Sequence, residues 1–368
     1  MRPVGADRFA AAAAFVDSVQ FTAAAPIRQD ACRRGGDLRR ALRAGCSVCV
    51  VLVIVFGLTD SPAAAGSDAP ARSGPAFDDF DGEYPFVGHF LEVRAENGPA
   101  AGLHYLDEGP ADAPPLLFVH GNPTWSFAWR NLIKAFRDRF RCIAVDHIGC
   151  GRSDKPAGFP YRLAAHRNNL QALIEHLDLR DATLIAHDWG GAIGCAAAGH
   201  LHERFSAIVL MNTAAFRSDQ MPWRIAACRL PVIGPLGVRG LNGFARAAIT
   251  QAVEQPLRPA VARGYLAPYG SWDDRVAIQA FVDDIPMKAS HPSWDALAEC
   301  ERTLPNLASK RIFLPWGERD WCFTTAFRDE FVRRFPGAIV EGYADAGHYV
   351  FEDAADRLRV GLNAFLRP

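Results

Sequence analysis

The sequence predicts an α/β protein with a mostly parallel eight-stranded sheet, helices on both faces and a helical cap inserted after the sixth strand. From residue 90 onward, apolar runs of strand length alternate with segments of helical periodicity. Such alternation is typical of a parallel sheet whose two faces are covered by helices. It stops once, between about residues 215 and 304, where no strand-like run occurs. This interruption predicts the cap.

Composition limits the classes of function. The chain has 368 residues, 49% of them apolar and 22% charged, with a net charge of -1. This length suits one large α/β domain with a smaller inserted unit. Near-neutral charge argues against nucleic acid as the main partner. The nine cysteines are odd in number and irregularly spaced, so we expect reduced thiols and no bound metal. We also expect no cofactor.

The first 75 residues are expected to lie outside the fold. An arginine-rich stretch leads into an apolar run at residues 44–58, and small residues follow. This order resembles a secretory signal, although the run starts far from Met1 and is shorter than the ~20 residues of a spanning helix. Two interpretations stay open: a disordered extension or wrongly placed start, and a signal or anchor. We expect a cytoplasmic protein, with export or inner-membrane anchoring through residues 44–58 as the alternative.

The predicted core comprises residues 76–214 and 305–368, and the predicted cap comprises residues 215–304. A cap in this position would cover the carboxyl ends of the strands, where ligands bind in such sheets. Strands are predicted at residues 90–95 and 102–107, as a hairpin around Asn97-Gly98, and at 116–119, 142–145, 183–186, 207–211, 312–316 and 339–343. Core helices are predicted at residues 164–177, 192–200, 324–335 and 352–366.

The strongest local signal for chemistry is Ala-His-Asp-Trp-Gly-Gly at residues 186–191, directly after a short apolar strand. A nucleophile elbow needs small residues two positions before and after the nucleophile, because the backbone makes a sharp, strained turn. Ala186 and Gly190 meet this need and leave Asp188 as the displayed residue. The alternative is an ordinary helix N-cap, for which aspartate is a favoured residue.

The order of possible partners favours the nucleophile. Hydrolases with such an elbow place nucleophile, acid and histidine in that sequence order. Asp320 follows the next-to-last predicted strand, and His348 follows the last one. Asp320 would orient the imidazole, and His348 would activate water. Glu318 is a rival for the acid, and His187 is interpreted as structural.

A second turn supplies candidate donors. His-Gly-Asn-Pro-Thr-Trp at residues 120–125 closes the third predicted strand, and such a turn typically directs a backbone N–H toward the nucleophile. The backbone N–H of Trp189 would complete an oxyanion hole. The Asn122 amide and the Trp189 indole could add side-chain donors that suit a leaving anion. The Asp- and Gly-rich segment at residues 146–154 is interpreted as a structural turn.

With these residues in hand, the chain resembles the haloalkane dehalogenase group of α/β hydrolases. Asn-Pro-Thr-Trp at residues 122–125 and the Asp188-Trp189 pair carry the resemblance, and Asn212 ends the sixth predicted strand. The resemblance implies the α/β-hydrolase fold, an aspartate that attacks carbon, a histidine-activated water, and an Asn-Trp pair that holds the leaving halide. It matches the subgroup with an Asp-His-Asp triad.

Within that subgroup the chain is most similar to the β-lactone decarboxylases of bacterial long-chain olefin synthesis, from about residue 85 to the end. This resemblance implies conversion of a cis-β-lactone with two long alkyl arms into a cis-olefin and carbon dioxide, and an assembly with other pathway enzymes. Membrane association stays open. The segments that carry the resemblance to the decarboxylases are DHIGCGRSDKP at 146–156, NTAAF at 212–216, MPWR at 221–224, YLAPYGSW at 265–272, FVDDIP at 281–286 and AGHYVFED at 346–353.

The sequence leaves the attacked carbon and the class of function open. Asp188 could attack either the lactone carbonyl carbon or the ring carbon that bears oxygen. A haloalkane dehalogenase would use the same residues, and an epoxide hydrolase would need cap tyrosines such as Tyr265 and Tyr269. A non-catalytic binding protein would not require the whole set. Trp223, Phe244 and Tyr265 are candidate lining residues of an apolar cleft.

Overall fold

The computed structural model describes residues 79–96 and 98–367. Its eight strands are β1 (Gly88–Arg94), β2 (Ala100–Glu108), β3 (Pro115–Val119), β4 (Arg141–Val145), β5 (Ala182–Asp188), β6 (Phe205–Thr213), β7 (Arg311–Gly317) and β8 (Ile339–Tyr343). The helices outside the insertion are α1 (Arg130–Phe136), α2 (Leu163–His176), α3 (Trp189–His200), α10 (Thr325–Arg334), α11 (Val350–Asp353) and α12 (Ala355–Phe365). Between β6 and β7 lie α4 (Trp223–Ala227), α5 (Ile233–Pro235), α6 (Gly243–Gln251), α7 (Pro259–Leu266), α8 (Val276–Asp283) and α9 (Trp294–Thr303).

The strands form one sheet in the order β1-β2-β4-β3-β5-β6-β7-β8. The pairs β1–β2 and β2–β4 are antiparallel, and all other neighbours are parallel. The mostly parallel eight-stranded sheet predicted from the alternating pattern is therefore confirmed. The central strand β5 is buried along its whole length, which explains why it reads as a continuous apolar run.

Helices cover both faces of the sheet, as predicted. Successive side chains of a strand point to opposite faces, and β5 shows this clearly. Leu184 belongs to a core cluster with α2, α3, α9 and α10, whereas Ile185 belongs to a second cluster with α1 and α12. The sheet thus lies between two layers of helix, and its carboxyl edge faces the insertion between β6 and β7.

Two helix boundaries differ from the predictions. Helix α3 begins at Trp189 rather than at residue 192, because its first turn contains Gly190 and Gly191, which are poor helix formers in sequence terms. The predicted helix at 352–366 is wrong as a single element, because α11 ends at Asp353 and α12 starts at Ala355. The Asp353 carboxylate accepts the backbone N–H groups of Gly347, Glu254 and Gln255. These bonds hold α11 against the loop that carries the last predicted site residue.

The stretch between β6 and β7 contains helices and no strand among the residues that the structure describes. It packs on the core through aromatic contacts, such as Phe281 of α8 against Trp189, whose ring centroids lie 5.3 Å apart. Within residues 79–96 and 98–367, no helix is both long and apolar enough to cross a membrane. The apolar run at residues 44–58 and the Cys46/Cys49 pair lie outside the described residues.

Candidate active site

Asp188 is the last residue of the central strand β5, and helix α3 starts directly after it. Its backbone has φ +51° and ψ −127°, a conformation that residues other than glycine rarely adopt. Gly190 is required here because a Cβ at that position would lie 2.1 Å from the carbonyl oxygen of Val119. The carboxylate makes no capping hydrogen bond to α3, so the N-cap alternative has no geometric support.

The two oxygens of the Asp188 carboxylate have different surroundings. Oδ1 accepts the backbone N–H of Asn122 at 2.6 Å, and the backbone N–H of Trp189 also favours the charged form of the carboxylate. Oδ2 lies 3.8 Å from Nε2 of His348. Burial raises the pKa of Asp188 above its usual value, and the charge of His348 and these N–H groups oppose the rise. Asp188 is thus a buried carboxylate with one oxygen fixed and the other facing the histidine.

His348 is held by Asp320. Nδ1 of His348 donates to Oδ2 of Asp320 at 2.7 Å. The same oxygen accepts the side-chain amide of Asn212 at 3.0 Å, and Oδ1 of Asp320 accepts the backbone N–H of Cys322 at 2.7 Å. The rival acid Glu318 instead pairs with Arg328. Asp188, His348 and Asp320 therefore form one connected row at the carboxyl edge of the sheet.

The protonation of His348 depends on its two carboxylate neighbours. Burial alone would lower the pKa of His348, but the charge and hydrogen bond of Asp320, helped by the charge of Asp188, raise it above its usual value. The imidazole therefore carries a positive charge over a wider pH range than a free histidine would. A charged group at this position can stabilise negative charge on the Asp188 carboxylate.

His187, which we interpret from the sequence as structural, contacts the loop that carries His348. Its side chain is buried, and its Nε2–H donates to the backbone carbonyl of His348 at 2.9 Å. The two imidazole centroids lie 4.4 Å apart. His187 thus supports the loop that presents His348.

The candidate anion donors surround Asp188. Asn122 is 7% exposed; its amide donates to the carbonyl of Ile278 at 3.2 Å, and its buried Oδ1 has no partner within the described part of the chain. Within the same part of the chain the second amide hydrogen of Asn122 has no acceptor, so it is free for a ligand. The indole of Trp189 lines the neighbouring cavity and packs against Phe281. These two side chains stand next to Asp188, and their role as an anion site stays a prediction.

Two apolar cavities open from Asp188. Cavity A has a volume of about 130 Å³ and lies against the loops after β6 and α8; cavity B has a volume of about 470 Å³ and lies against α4–α6. Both are bordered by Asn122, Asp188, Ile225, Phe244 and Cys322. Cavity A is otherwise lined mainly by apolar side chains that include Phe216, Met221, Val282, Met287 and Phe327. Cavity B is lined by side chains that include Trp223, Val238, Leu241, Ala247, Trp321 and His348.

Among the candidate lining residues, Trp223 and Phe244 do line these cavities, but the assignment of Tyr265 was wrong. Its hydroxyl donates to Glu352, which pairs with the buried Arg130. Tyr269 directs its hydroxyl to the carbonyl of Thr124 at 3.4 Å. Neither tyrosine borders a cavity with Asp188, so this arrangement offers no support for an epoxide hydrolase that uses them.

A parallel sheet with an aspartate elbow, an Asp-His pair and a helical insertion over the strand ends defines an enzyme of the α/β-hydrolase fold. A sequence profile described as the alpha/beta hydrolase fold matches residues 114–230. The solved structure of haloalkane dehalogenase DatA from Agrobacterium tumefaciens C58 is similar with a TM-score of 0.67 at 26% identity, covering 76% of this chain and 96% of that chain.

Curated relatives define the family more narrowly. The chain is 38% identical over 294 residues to a cis-3-alkyl-4-alkyloxetan-2-one decarboxylase from Xanthomonas campestris pv. campestris, covering 77% of this chain and 97% of that protein. It is 37% identical over 289 residues to a protein of the same name from Shewanella oneidensis, covering 77% of this chain and 89% of that protein. The chain therefore belongs to the family of α/β-hydrolase-fold enzymes that contains these decarboxylases.

Proposed function

We propose that this protein is a β-lactone decarboxylase that converts cis-3,4-dialkyl β-lactones into cis-olefins and carbon dioxide, with Asp188 as the nucleophile. The observation that carries the proposal is the pair of apolar cavities that diverge from Asp188. The relatives from Xanthomonas and Shewanella are both named as decarboxylases of such a lactone, an oxetan-2-one with alkyl groups on adjacent ring carbons.

The two cavities match the shape of this substrate. A cis-dialkyl β-lactone has a small polar ring from which two alkyl arms leave in different directions. With the ring at Asp188 and Asn122, one arm enters cavity A and the other enters cavity B. Burial contributes roughly 0.8 kcal/mol per methylene, so each arm supplies binding energy in proportion to its length. A small haloalkane would leave most of cavity B unused.

The surroundings of Asp188 favour attack on the ring carbon that bears oxygen. The backbone N–H of Asn122, one half of the expected oxyanion hole, already bonds Oδ1 of Asp188, so it is not free for an oxyanion formed on the lactone carbonyl. Oδ2 accepts no backbone N–H from the residues that the structure describes. Its attack forms an Oδ2–carbon bond and breaks the ring C–O bond, which releases a carboxylate on the neighbouring carbon. The side chains of Asn122 and Trp189 can donate hydrogen bonds to that carboxylate.

The second step returns the enzyme to its starting state. The bond between the new carboxylate and the former ring carbon that carries it breaks, which releases carbon dioxide. The electron pair of that bond forms the C=C bond and displaces Asp188 from the neighbouring carbon as a carboxylate. Back-side attack places the two breaking bonds anti to each other, so both alkyl arms end on the same side of the olefin. No water is consumed. The positive charge of His348, 3.8 Å from Oδ2, stabilises the departing carboxylate.

Haloalkane dehalogenation is the second candidate function, because the same arrangement fits it. Asp188 would displace halide, the Asn122 and Trp189 side chains would hold the halide, and a neutral His348 would activate water against the ester. The likeness to haloalkane dehalogenase DatA favours this alternative. The two reactions differ in whether water enters the product.

Product analysis tests the proposal directly. Purified protein is incubated with a synthetic cis-3,4-dialkyl β-lactone and, separately, with 1,2-dibromoethane, and olefin, carbon dioxide and bromide are measured. We expect olefin and carbon dioxide in equal amounts, and the loss of both in Asp188→Asn. Fast bromide release without olefin from the lactone would identify a dehalogenase. Unchanged turnover in Asp188→Asn would exclude Asp188 as the nucleophile.

Cellular location and assembly partners stay predictions. A cytoplasmic location is expected from the sequence, and the competing anchor at residues 44–58 lies outside the described residues. A complex with other olefin-pathway enzymes rests on the family resemblance alone.

A further inference from the structure

The exposed apolar side chains of the described residues are concentrated on one part of the insertion. We name residues 223–241 the cap ridge; it comprises α4, α5 and the turns around them. Eleven large hydrophobic side chains are exposed in the described residues, and six of them belong to this short ridge. Monomeric proteins rarely expose such clusters without a binding role. The six are Trp223, Leu230, Val232, Ile233, Leu236 and Leu241, which are 49–75% exposed.

The cap ridge is also the rim of cavity B. Trp223, Ile233 and Leu241 are exposed to the outside and line cavity B at the same time. Cavity B extends from this rim to Asp188. An apolar path therefore runs from the protein surface to the nucleophile. A ligand that leaves an apolar phase at the ridge would enter the site without exposing its alkyl arms to water.

The ridge and its flanks are basic, although the chain as a whole is not. Residues 217–246 contain five arginines and one aspartate, a balance of five minus one or +4, whereas the whole chain has a net charge of -1. Within the described part of the chain, Arg224, Arg229 and Arg246 have no carboxylate within ion-pair distance. The Arg224 guanidinium instead lies 5.6 Å from the ring centroid of Trp223 and 4.9 Å from that of Trp321.

We propose that the cap ridge docks on the surface of an anionic lipid membrane and that the lactone passes from the bilayer into cavity B. The lactone as cargo rests on the function proposed above; the docking itself does not. Exposed tryptophan and aliphatic side chains flanked by unpaired arginines are the composition of surfaces that lie in the membrane interface. The arginines attract anionic headgroups, and the apolar side chains enter the headgroup–acyl boundary.

Vesicle binding tests the docking without any substrate. The full chain is mixed with vesicles of equal parts phosphatidylcholine and phosphatidylglycerol, or of phosphatidylcholine alone, and bound protein is measured by flotation. The test variant combines Leu230→Ser, Val232→Ser and Leu236→Ser, which are exposed and do not line either cavity. The matched control combines Val87→Ser, Ile339→Ser and Val360→Ser, which are equally exposed elsewhere.

We expect the full chain to bind the anionic vesicles, the ridge variant to bind at least about tenfold more weakly, and the control to bind like the original. Replacing Arg229 and Arg246 by Gln should weaken binding about fivefold for each arginine and remove much of the preference for phosphatidylglycerol. Equal vesicle binding by the ridge variant and the control would overturn the proposal, since another segment would then carry the binding. No vesicle binding by the full chain would overturn it as well.

A second readout separates this inference from the proposed function and from a protein partner. Turnover of a short-armed, water-soluble cis-β-lactone should be the same in the ridge variant and the control, whereas turnover of a long-armed lactone embedded in vesicles should fall only in the ridge variant. Soluble turnover without vesicle binding would reject the docking and keep the function. Vesicle binding without any olefin would reject the proposed function and keep the docking. A concentration-dependent dimer that the ridge variant disrupts, with no vesicle binding, would assign the ridge to a second copy of the chain instead.

Discussion

The Asp188 carboxylate must be held in a fixed orientation and must also present one oxygen to the substrate. Its Oδ1 is fixed by the N–H of Asn122 at 2.6 Å, which orients the carboxylate and engages one donor of the expected oxyanion hole. Its Oδ2 faces His348 and the cavities. After attack, Oδ1 becomes the carbonyl oxygen of an ester that remains bound to the same donor. The ester then breaks down either by hydrolysis or by decarboxylation of the bound substrate, whichever is faster.

Isotope labelling of Asp188 distinguishes these fates. In water enriched in oxygen-18, hydrolysis of an alkyl-enzyme ester leaves one heavy oxygen in the aspartate carboxylate, because water attacks the ester carbonyl. Decarboxylation returns Asp188 with its original oxygens. We therefore expect the peptide that contains Asp188 to keep its mass after many turnovers of a cis-β-lactone. The measurement is mass spectrometry of the digested enzyme.

Incubation with 1,2-dibromoethane in the same labelled water is the control for this experiment. Any hydrolytic turnover of the bromide should raise the mass of the Asp188 peptide, which shows that incorporation is detectable. Incorporation of oxygen-18 during lactone turnover at the rate of olefin formation would contradict the mechanism without water that we propose.

At the scale of elements, the sequence predicts the core well, because there local signals and tertiary structure agree. The apolar runs became β3 to β8, and the small residues around Asp188 became the β5–α3 turn. The order of Asp320 and His348 after β7 and β8 brings them together, since parallel strands end at one edge of the sheet. What the sequence did not reveal was the donor from Asn212 to Asp320, because that contact joins neighbouring strands far apart in the chain.

The insertion was predicted less well, for a physical reason. Short helices such as α4 and α5 have too few turns to show a clear periodicity, and their side chains divide between cavity, core and surface. Tyr265 was therefore assigned to the cavity, although its hydroxyl bonds Glu352. Cys322, which borders both cavities and whose N–H bonds Asp320, was missed because it lies in a loop with no pattern of its own.

The division of the substrate between two cavities gives a prediction about chain length. Ala247 of α6 lines only cavity B, and Met221 lines only cavity A. We expect Ala247→Trp and Met221→Trp each to shorten the arm that one cavity accepts. Excluding two methylenes should cost about 1.6 kcal/mol, or roughly fifteenfold in kcat/KM.

Two regioisomeric lactones, one with the long arm on the ring carbon beside the carbonyl and the other with it on the carbon beside oxygen, provide the measurement. The two variants should have opposite preferences between the isomers, and each should keep its activity on a lactone with two short arms. Equal losses on both isomers in both variants would show that the arms do not occupy separate cavities.

The contact between α7 and the core gives a prediction about stability. Tyr265 donates to Glu352, whose carboxylate also pairs with Arg130 through bonds of 2.6 and 2.9 Å. A hydrogen bond to a charged group contributes about 1.5–3 kcal/mol, so Tyr265→Phe should lower the free energy of unfolding by that amount. Turnover should persist, since Tyr265 borders neither cavity.

Denaturant unfolding and lactone turnover measure the two effects of Tyr265→Phe. Tyr105→Phe is the control, because the Tyr105 hydroxyl has no protein partner within residues 79–96 and 98–367, and its loss should leave stability nearly unchanged. A Tyr265→Phe variant that stays stable but loses turnover would return Tyr265 to the catalytic machinery and revive the epoxide hydrolase alternative.

At the scale of the whole molecule, the segment before β1 belongs to the core. Phe80 packs edge-to-face on Phe127 with centroids 5.4 Å apart, and Tyr84 bonds the hydroxyl of Ser126 at 2.5 Å. Phe86 is also buried, and it contacts Tyr84. Ser126 in turn donates its backbone N–H to the buried Asp146. The structural turn predicted around Asp146 is thus joined to residues well before the first strand.

These contacts predict where the chain can be shortened. A chain that starts at Ala76 keeps all three aromatic side chains, the sheet and the triad, so it should unfold and turn over lactone like the full chain. A chain that starts at Gly88 loses Phe80, Tyr84 and Phe86 from the core. Loss of a buried large aromatic costs about 3–5 kcal/mol, and a typical domain is stable by only 5–15 kcal/mol in total, so the shorter chain should be largely unfolded.

Circular dichroism melts and turnover of a soluble lactone compare the two truncations with the full chain. A destabilised chain from Ala76 would mean that residues 1–75 contribute to the fold, contrary to the boundary predicted from their composition.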